Sequence, residues 1–387
     1  MPSTLENFTL SAVAAPDDFI VGYDTATLYG ERRWTVSTIA NAVSGVMDSE
    51  LNNKYVTKTS VYIANSQFQK NDPTIVAWTK TADFAVSTQT SFNVLVNNNL
   101  LTIPSGTVVS MPASTVGTDY AIWVTPSSTL QATDNHTTPP VANAVKVGGF
   151  HYAPGSNAAA QSGGNTTPQI NPYSFWDLNF RPNCPDPRGM TLVADSFWVD
   201  IYLCGVDHIT NGTSKYNVSI AIGTRPPKIP VMFGGDGTTA YANGQWFNFM
   251  EVLTSYRKRP ISYHEFIALA YGTTENTSSG GSDVPTTGVS GTGATSAWNF
   301  FTSKWGVIQS TGCIWSWGSD TFGAFGTSWT TTGDRGEQFG GAGAAYFGGH
   351  WGDSSNSGSR CSNWHNSPTN SNNHSGVRGS CDHLVLV

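Results

Sequence analysis

From Arg360 to Gly379 the chain reads RCSNWHNSPTNSNNHSGVRG. Asn, Ser and His crowd this stretch, with hardly an aliphatic side chain among them. That is the composition either of a disordered tail or of a deliberately polar surface. A disordered tail has no fold to read, whereas a polar surface needs a packed domain beneath it, so the fold of the C-terminal half turns on this choice.

The surroundings of the stretch are those of a packed protein. The chain has 387 residues, room for two or three domains. Only 12% of its residues are charged and 12% are aromatic, with 13 Trp and 40 Gly, which points to turn-rich β structure rather than disorder. A formal net charge of −7, with Lys and Arg scattered, leaves no electrostatic footprint for nucleic acid. No run of about 18 apolar residues occurs and the first residues lack a signal-peptide pattern, so the chain reads as soluble and made in the cytoplasm. Cys184, Cys204, Cys313, Cys361 and Cys381 are an odd number at wide spacing, read as buried thiols with one disulfide if two of them meet.

Along the chain, the segment from Asp18 to Ser44, which includes IVGYDTATLYGERRWTVSTIANAV, is too short to fold alone and reads as a segment stabilised by partner chains. Between about Val61 and Tyr152 the apolar residues alternate at period two, as in Phe92, Val94 and Val96, then Tyr120, Ile122 and Val124, with Asn-rich turns between. This predicts a small β-sandwich acting as a spacer. Ala153–Asn171, rich in Gly, Ala, Ser and Asn, reads as a long connection into the next domain. Beyond it, Trp246, Phe249, Met250 and Leu253 fall at i, i+3, i+4 and i+7, a helix with one buried stripe. A second helix is opened by Ser262 and Glu265 in capping-box spacing and closed by Gly272. Helices among Trp-rich strands predict an α+β C-terminal domain.

Motifs for phosphate binding, nucleophilic hydrolysis, zinc proteolysis or calcium loops are absent. The turn Gly234–Gly237 reads as a turn, and His208, His264, His365, His374 and His383 stand at no metal-ligand spacing. The sequence does not read as an enzyme's, and neither a cofactor nor a metal is expected.

Four stretches, RKRPISYHEFIALAYGTTE (Arg257–Glu275), AYFGGHW (Ala345–Trp351), GSRCSNW (Gly358–Trp364) and GVRGSCDHL (Gly376–Leu384), resemble the C-type lectin fold in its formylglycine-generating subclass. With KVGGFHYAPGSNAAAQSGGNTTPQIN, DPRGMTLVA and the ending CDHLVLV, the region Thr118–Val387 is similar to the variable receptor-binding proteins that phages diversify with a retroelement. The first hundred residues depart from that pattern and are weakly similar to head-proximal segments of tail fibres. The resemblance implies three parts: an N-terminal β-rich attachment and trimerisation segment over 1–56, a β-sandwich over 57–167 and a C-type lectin domain over 168–387.

In that family a reverse transcriptase rewrites adenines, mostly in Asn codons. Carried over position by position, the resemblance implies a variable ligand-binding set of His350, Gly352, Asp353, Ser354, Asn356, Asn363, His365, Asn366, Asn370, Asn372, His374 and Ser375. Each is reachable from an Asn codon by changes in its first two bases. Trp351, Arg360, Trp364 and Arg378 interleave with them as a packed frame, and Asn373 aligns with a frame position although it looks equally diversified. The stretch at the start of this section is thus expected to be a polar binding surface on a rigid scaffold, its side chains turned to solvent.

The family further implies a homotrimer at the tip of a phage tail fibre in the virion, assembled in the host cytoplasm. It would bind a host surface receptor, most plausibly a protein, through several weak sites at once. The alternative is a cellular, surface-displayed variable protein of the same scaffold. A calcium-dependent glycan lectin lacks its ligand motif here. A formylglycine-type oxidase lacks its cysteine pair, since HWGDSSNSGS (His350–Ser359) contains no Cys.

Overall fold

The computed structural model describes residues 68–322 and 343–386, together with the backbone of Ile20–Tyr23, Glu31–Trp34, Trp329–Thr331 and Glu337–Phe339. The chain divides into two compact units, Met1–Ser66 and Gln67–Val387. In the first, Ile20–Tyr23 pairs antiparallel with Glu31–Trp34, so part of the expected attachment segment is β. The rest of that expectation lies outside the described residues.

In the second unit the period-two segments form strands. Phe92–Val96 alternates buried and half-buried residues, then turns through Asn97 and Asn98, both at positive φ, into Asn99–Ile103. Two positive φ values in a row match the right-handed twist of a hairpin, and Asn tolerates them. Phe68–Lys70 completes this three-stranded sheet, and Trp78–Ala82 pairs with Ala85–Thr88. They pack on the strands Thr118–Val124 and Val145–Ala153 around a core that includes Trp78, Phe92, Val94, Tyr120, Ile122 and Phe150. Gly148 and Gly149 are required where this packing is closest. A Cβ on Gly148 would lie 2.3 Å from the Trp78 indole nitrogen, and one on Gly149 would lie 2.5 Å from the Tyr120 carbonyl.

The sandwich is continuous with the C-terminal half. One eleven-stranded sheet runs in the order Met190–Val193, Phe197–Asp200, Gly379–Val385, Phe180–Pro182, Trp176–Asp177, Val145–Ala153, Thr118–Val124, Leu130–Thr133, Val109–Ser110, with Gln169–Ile170 and Arg259–Pro260 paired beside it. The final strand of the chain therefore sits inside the sheet, between Phe197–Asp200 and Phe180–Pro182. A buried ion pair fastens the junction: Lys70 Nζ lies 2.8 Å from Asp177 Oδ2, which also accepts the Ala77 amide. Burial raises the Asp177 pKa, and the Lys70 charge and the amide donors oppose that rise.

Ala153–Asn171 is not the free connection its composition suggests. Its backbone is hydrogen-bonded to the C-terminal half, Ala158 N to Ser303 O, Gly163 N to Gly272 O and Gly164 N to Asn299 O. Small residues are needed because the two backbones touch, as a Cβ on Gly163 would lie 2.5 Å from Asn299 O. Composition alone does not separate a flexible Gly-rich linker from a Gly-rich segment packed backbone to backbone.

Both predicted helices form. The first, Trp246–Ser255, buries Phe249, Val252 and Leu253. The second, Tyr263–Leu269, begins with the reciprocal capping box: Ser262 Oγ accepts from the Glu265 amide and Glu265 Oε2 accepts from the Ser262 amide. They flank a four-stranded sheet ordered Ser362–Asn363, Gly343–Phe347, Trp315–Phe322, Ser375–Val377. Its core holds Trp317 against Tyr346 with ring centroids 3.9 Å apart.

Arg378 stands between the last strand of this sheet and the last strand of the large one, and is 1% exposed. Its guanidinium donates to the carbonyls of Asp200 at 2.8 Å, Ile201 at 2.6 Å and Ile308 at 2.7 Å. Burial lowers its pKa to about 10, so it remains charged at neutral pH. Beside it Asp200 binds Lys258 Nζ at 2.5 Å and accepts the Gly379 amide at 3.2 Å. Replacing Arg378 with Met leaves those carbonyls buried without donors, and the expected loss is about 3–5 kcal/mol in a chemical-denaturation titration. Arg378→Lys should fall between, because one ammonium does not span carbonyls from separate segments.

Candidate binding surface

The residues implied as variable lie on two ordered loops of the four-stranded sheet, one before the Arg360–Gly379 stretch and one within it. The first follows strand Gly343–Phe347 and runs from His350 through the short turn Ser354–Asn356. Its backbone is tied to residues outside it: Trp351 N donates to Cys313 O and Trp351 O accepts from Gly280 N and Ser278 Oγ. The Ser359 amide and hydroxyl both donate to Glu275. The second loop leaves the edge strand Ser362–Asn363 and returns at Ser375–Val377. It is pinned by Ala344 N to Asn366 O, Trp246 N to Pro368 O and Trp315 N to His374 O. Gly223 lets this loop approach, since a Cβ there would lie 2.2 Å from the Ser371 carbonyl carbon.

The twelve residues implied as variable fall into four groups. His350, Gly352, Asp353 and His374 come together across the two loops. The His350 and His374 rings meet edge to face at 4.4 Å, His350 stacks on Trp351 at 5.0 Å, and His350 Nδ1 lies 3.2 Å from Asp353 Oδ2. Ser354 and Asn356 lie on the exposed turn. Asn363, His365 and Asn366 form a side-chain-capped turn, in which Asn363 Oδ1 accepts from the His365 amide at 2.9 Å and from Asn366 Nδ2 at 3.1 Å. Asn370, Asn372 and Ser375 surround the buried Tyr346 hydroxyl, which makes no well-aligned hydrogen bond with them. Burial raises the Tyr346 pKa, so the phenol stays neutral.

The expectation that all twelve side chains face solvent is corrected at two positions. Ser375 is fully buried as the first residue of strand Ser375–Val377, and its Oγ donates back to Asn372 O. Asn366 is buried because its amide closes the turn beneath Asn363. Asn370, Asn372, His350, Asp353 and His374 are half-buried, and Asn373, read as a frame position, is exposed.

Trp364 also departs from expectation. It was expected in the packed frame, but it follows a two-residue edge strand and is 39% exposed. One face of its ring meets Tyr263, Phe347 and Phe322 at 5.6, 6.1 and 6.2 Å. Its Nε1 donates to Ser362 Oγ. With Trp351 half-exposed, the surface carries two aromatic side chains that a reading of its Asn, Ser and His content misses. The available signal was their position within the variable set, Trp351 between His350 and Gly352 and Trp364 between Asn363 and His365.

Two outcomes follow from this geometry. Trp364→Ala should cost about 1–2 kcal/mol in a denaturation titration, well below the 3–5 kcal/mol of a buried aromatic. The pKa of His374 is lowered, first by burial and then by the neighbouring His350 charge, while Asp353 opposes. Its folded pKa thus lies below the unfolded value of about 6.5, and the stability it contributes is lost as pH falls through that window. The acid-side fall in melting temperature should be shallower in His374→Asn than in the parent.

The chain's relatives agree with this architecture. A family model described as the Mtd second domain matches residues 57–177, so the family likeness extends well before Thr118, and the expectation that the first hundred residues depart from it is corrected for residues 57 onward. The tail fiber receptor-binding protein of Bordetella phage BPP-1 is 55% identical over 329 residues, covering 84% of this chain and 86% of that protein. The solved structure of the Major Tropism Determinant M1 variant is 56% identical with a TM-score of 0.81, over 83% of this chain and 86% of that one. The U1 variant is 54% identical with a TM-score of 0.83, over 86% and 89%. The C-terminal half has the C-type lectin fold of those structures, and the chain belongs to the major tropism determinant family.

Proposed function

We propose that this chain is a phage receptor-binding protein, carried on the tail fibre of the virion, whose two C-terminal loops bind a molecule on the bacterial host surface. The relatives at more than half identity are named as a tail fibre receptor-binding protein and tropism determinants. The observation that carries the reading to these loops is their construction. Short Asn, Ser, Asp and His side chains are presented by backbone hydrogen-bonded at several points to the core, so side chains change without the frame changing. The contacting set is His350, Gly352, Asp353, Ser354, Asn356, Asn363, His365, Asn370, Asn372 and His374. Trp351, Trp364 and Asn373 extend it, while Asn366 and Ser375 act from below.

Such a surface offers adaptable hydrogen bonds and little apolar area, so a single site binds weakly. Strength comes from several copies, by roughly 10²–10⁴-fold when geometry allows simultaneous contact. The proposed assembly is a homotrimer made in the host cytoplasm. Val231 and Met232, adjacent on a short turn and each 69% exposed, favour an assembly that covers them. The role needs no catalysis and no cofactor.

Replacing Asn363 or Asn370 with Tyr adds an amphipathic contact to the surface. These variants should change which bacterial cells the protein binds, in a cell-binding assay with labelled protein, while the unfolding free energy from a denaturant titration stays within about 0.5 kcal/mol of the parent's. Host binding that survives replacement of all the contacting residues by Ala would place recognition elsewhere. Sedimentation equilibrium at micromolar concentration should give three times the chain mass, and a stable monomer would refute the trimer.

A further inference from the structure

Cys184 and Cys381 lie 197 residues apart in sequence and meet in the core beside Met190 and Trp198. Strand Phe180–Pro182 pairs antiparallel with Gly379–Val385, Phe180 opposite Val385, Arg181 opposite Leu384 and Pro182 opposite His383. The ladder continues one step beyond the strand, with Asn183 N donating to Asp382 O at 2.9 Å. Continued past the end of the strand, that register sets Cys184 opposite Cys381.

The parity of that pair matters. Leu386 N donates to Asn179 O and Asn183 N to Asp382 O, so hydrogen-bonded pairs fall at alternate positions and Cys184–Cys381 is a non-hydrogen-bonded pair. Residues opposed in that way have Cα atoms about 4.5 Å apart and side chains on one face of the sheet. A disulfide spans Cα separations of about 4.4–6.8 Å. Both thiols are free, with Cys184 Sγ donating to Asp186 O at 3.2 Å, and their proximity lowers the pKa of Cys184 and raises that of Cys381.

We propose that Cys184 and Cys381 form a redox-responsive disulfide site that bolts the last strand of the chain to the strand entering the C-terminal half. Cys184 is the attacking thiol. Although only 5% exposed, it lies outside the regular strands between exposed Asn183 and exposed Pro185, so a local opening of that turn bares it, whereas Cys381, 3% exposed, is paired within the sheet. The thiolate of Cys184 attacks a small-molecule disulfide, forming a mixed disulfide and releasing one thiolate. Cys381 gives up its proton and attacks the Cys184 sulfur, closing the intramolecular bond and releasing the second small thiol. Two protein thiols are oxidised and one external disulfide is reduced to two thiols. The bond is open where glutathione keeps thiols reduced and closed in oxidising surroundings. Cys204, Cys313 and Cys361 take no part: buried Cys204 and Cys313 and half-buried Cys361 all have thiol pKa values raised by burial.

The test equilibrates the purified full-length chain in oxidised and reduced glutathione buffers of stepped ratio, then alkylates remaining thiols in denaturant and maps peptides without reduction. The expected result is loss of two thiols per chain, one peptide pair joining Cys184 to Cys381, and alkylation at the other three cysteines. The oxidised chain should also melt several degrees above the reduced one, because a cross-link across so long a loop restricts the unfolded chain. Cys184→Ser and Cys381→Ser should each remove both the linked peptide and the redox-dependent melting shift. Five alkylated cysteines at every ratio, a glutathione adduct on Cys184 that never resolves, or a link through another cysteine would each overturn the proposal.

Discussion

A single buried guanidinium joins the two sheets of the C-terminal half. Arg378 lies between strand Ser375–Val377, which belongs to the sheet bearing the polar loops, and strand Gly379–Val385, which belongs to the sheet shared with the sandwich. Its donors reach carbonyls at the end of Phe197–Asp200 and at Ile308, groups that no regular strand pairing satisfies there. Carbonyls buried without donors cost free energy, and a charge buried without partners costs more. Here each answers the other, and the geometry holds for only one relative placement of the sheets. Asp200, bound by Lys258 and by the Gly379 amide, repeats the principle one residue away.

That junction explains how so polar a surface is ordered. The loops from His350 to His374 contain few groups able to form a core of their own. They are held from outside, by the Trp315, Trp246 and Ala344 amides, by Glu275 and by Ser278. All of these anchors use backbone atoms of the loops or Ser359, which is not in the variable set. Side chains at Asn363 and Asn356 are therefore replaceable without loss of a tertiary hydrogen bond, whereas Ser375 and Asn366 lie beneath the surface and tune its support.

Much of the local structure was legible in the sequence because it depends on neighbours along the chain. The stripe Trp246, Phe249, Met250 and Leu253 has one helical reading, and Ser262 with Glu265 closes a capping box within a single turn. The alternation at Phe92, Val94 and Val96 places one face inward whatever lies opposite. The polar loops were legible as a surface through their composition and family resemblance, while the degree of exposure was not. Trp364 looked like core by residue type, but its place after an edge strand leaves one face open.

The sequence by itself determined the mainly β character, the two helices and the boundaries of the polar stretch, since propensity, periodicity and capping act over a few residues. Tertiary structure alone decided that Ala153–Asn171 packs rather than links, that one sheet runs from the sandwich into the lectin half, and that Cys184 and Cys381 share one core cluster. Each of these rests on strands or backbones that are not neighbours along the chain, most of them more than a hundred residues apart. The register of such a pairing is set by the packing of both faces at once, and local sequence carries no term for it.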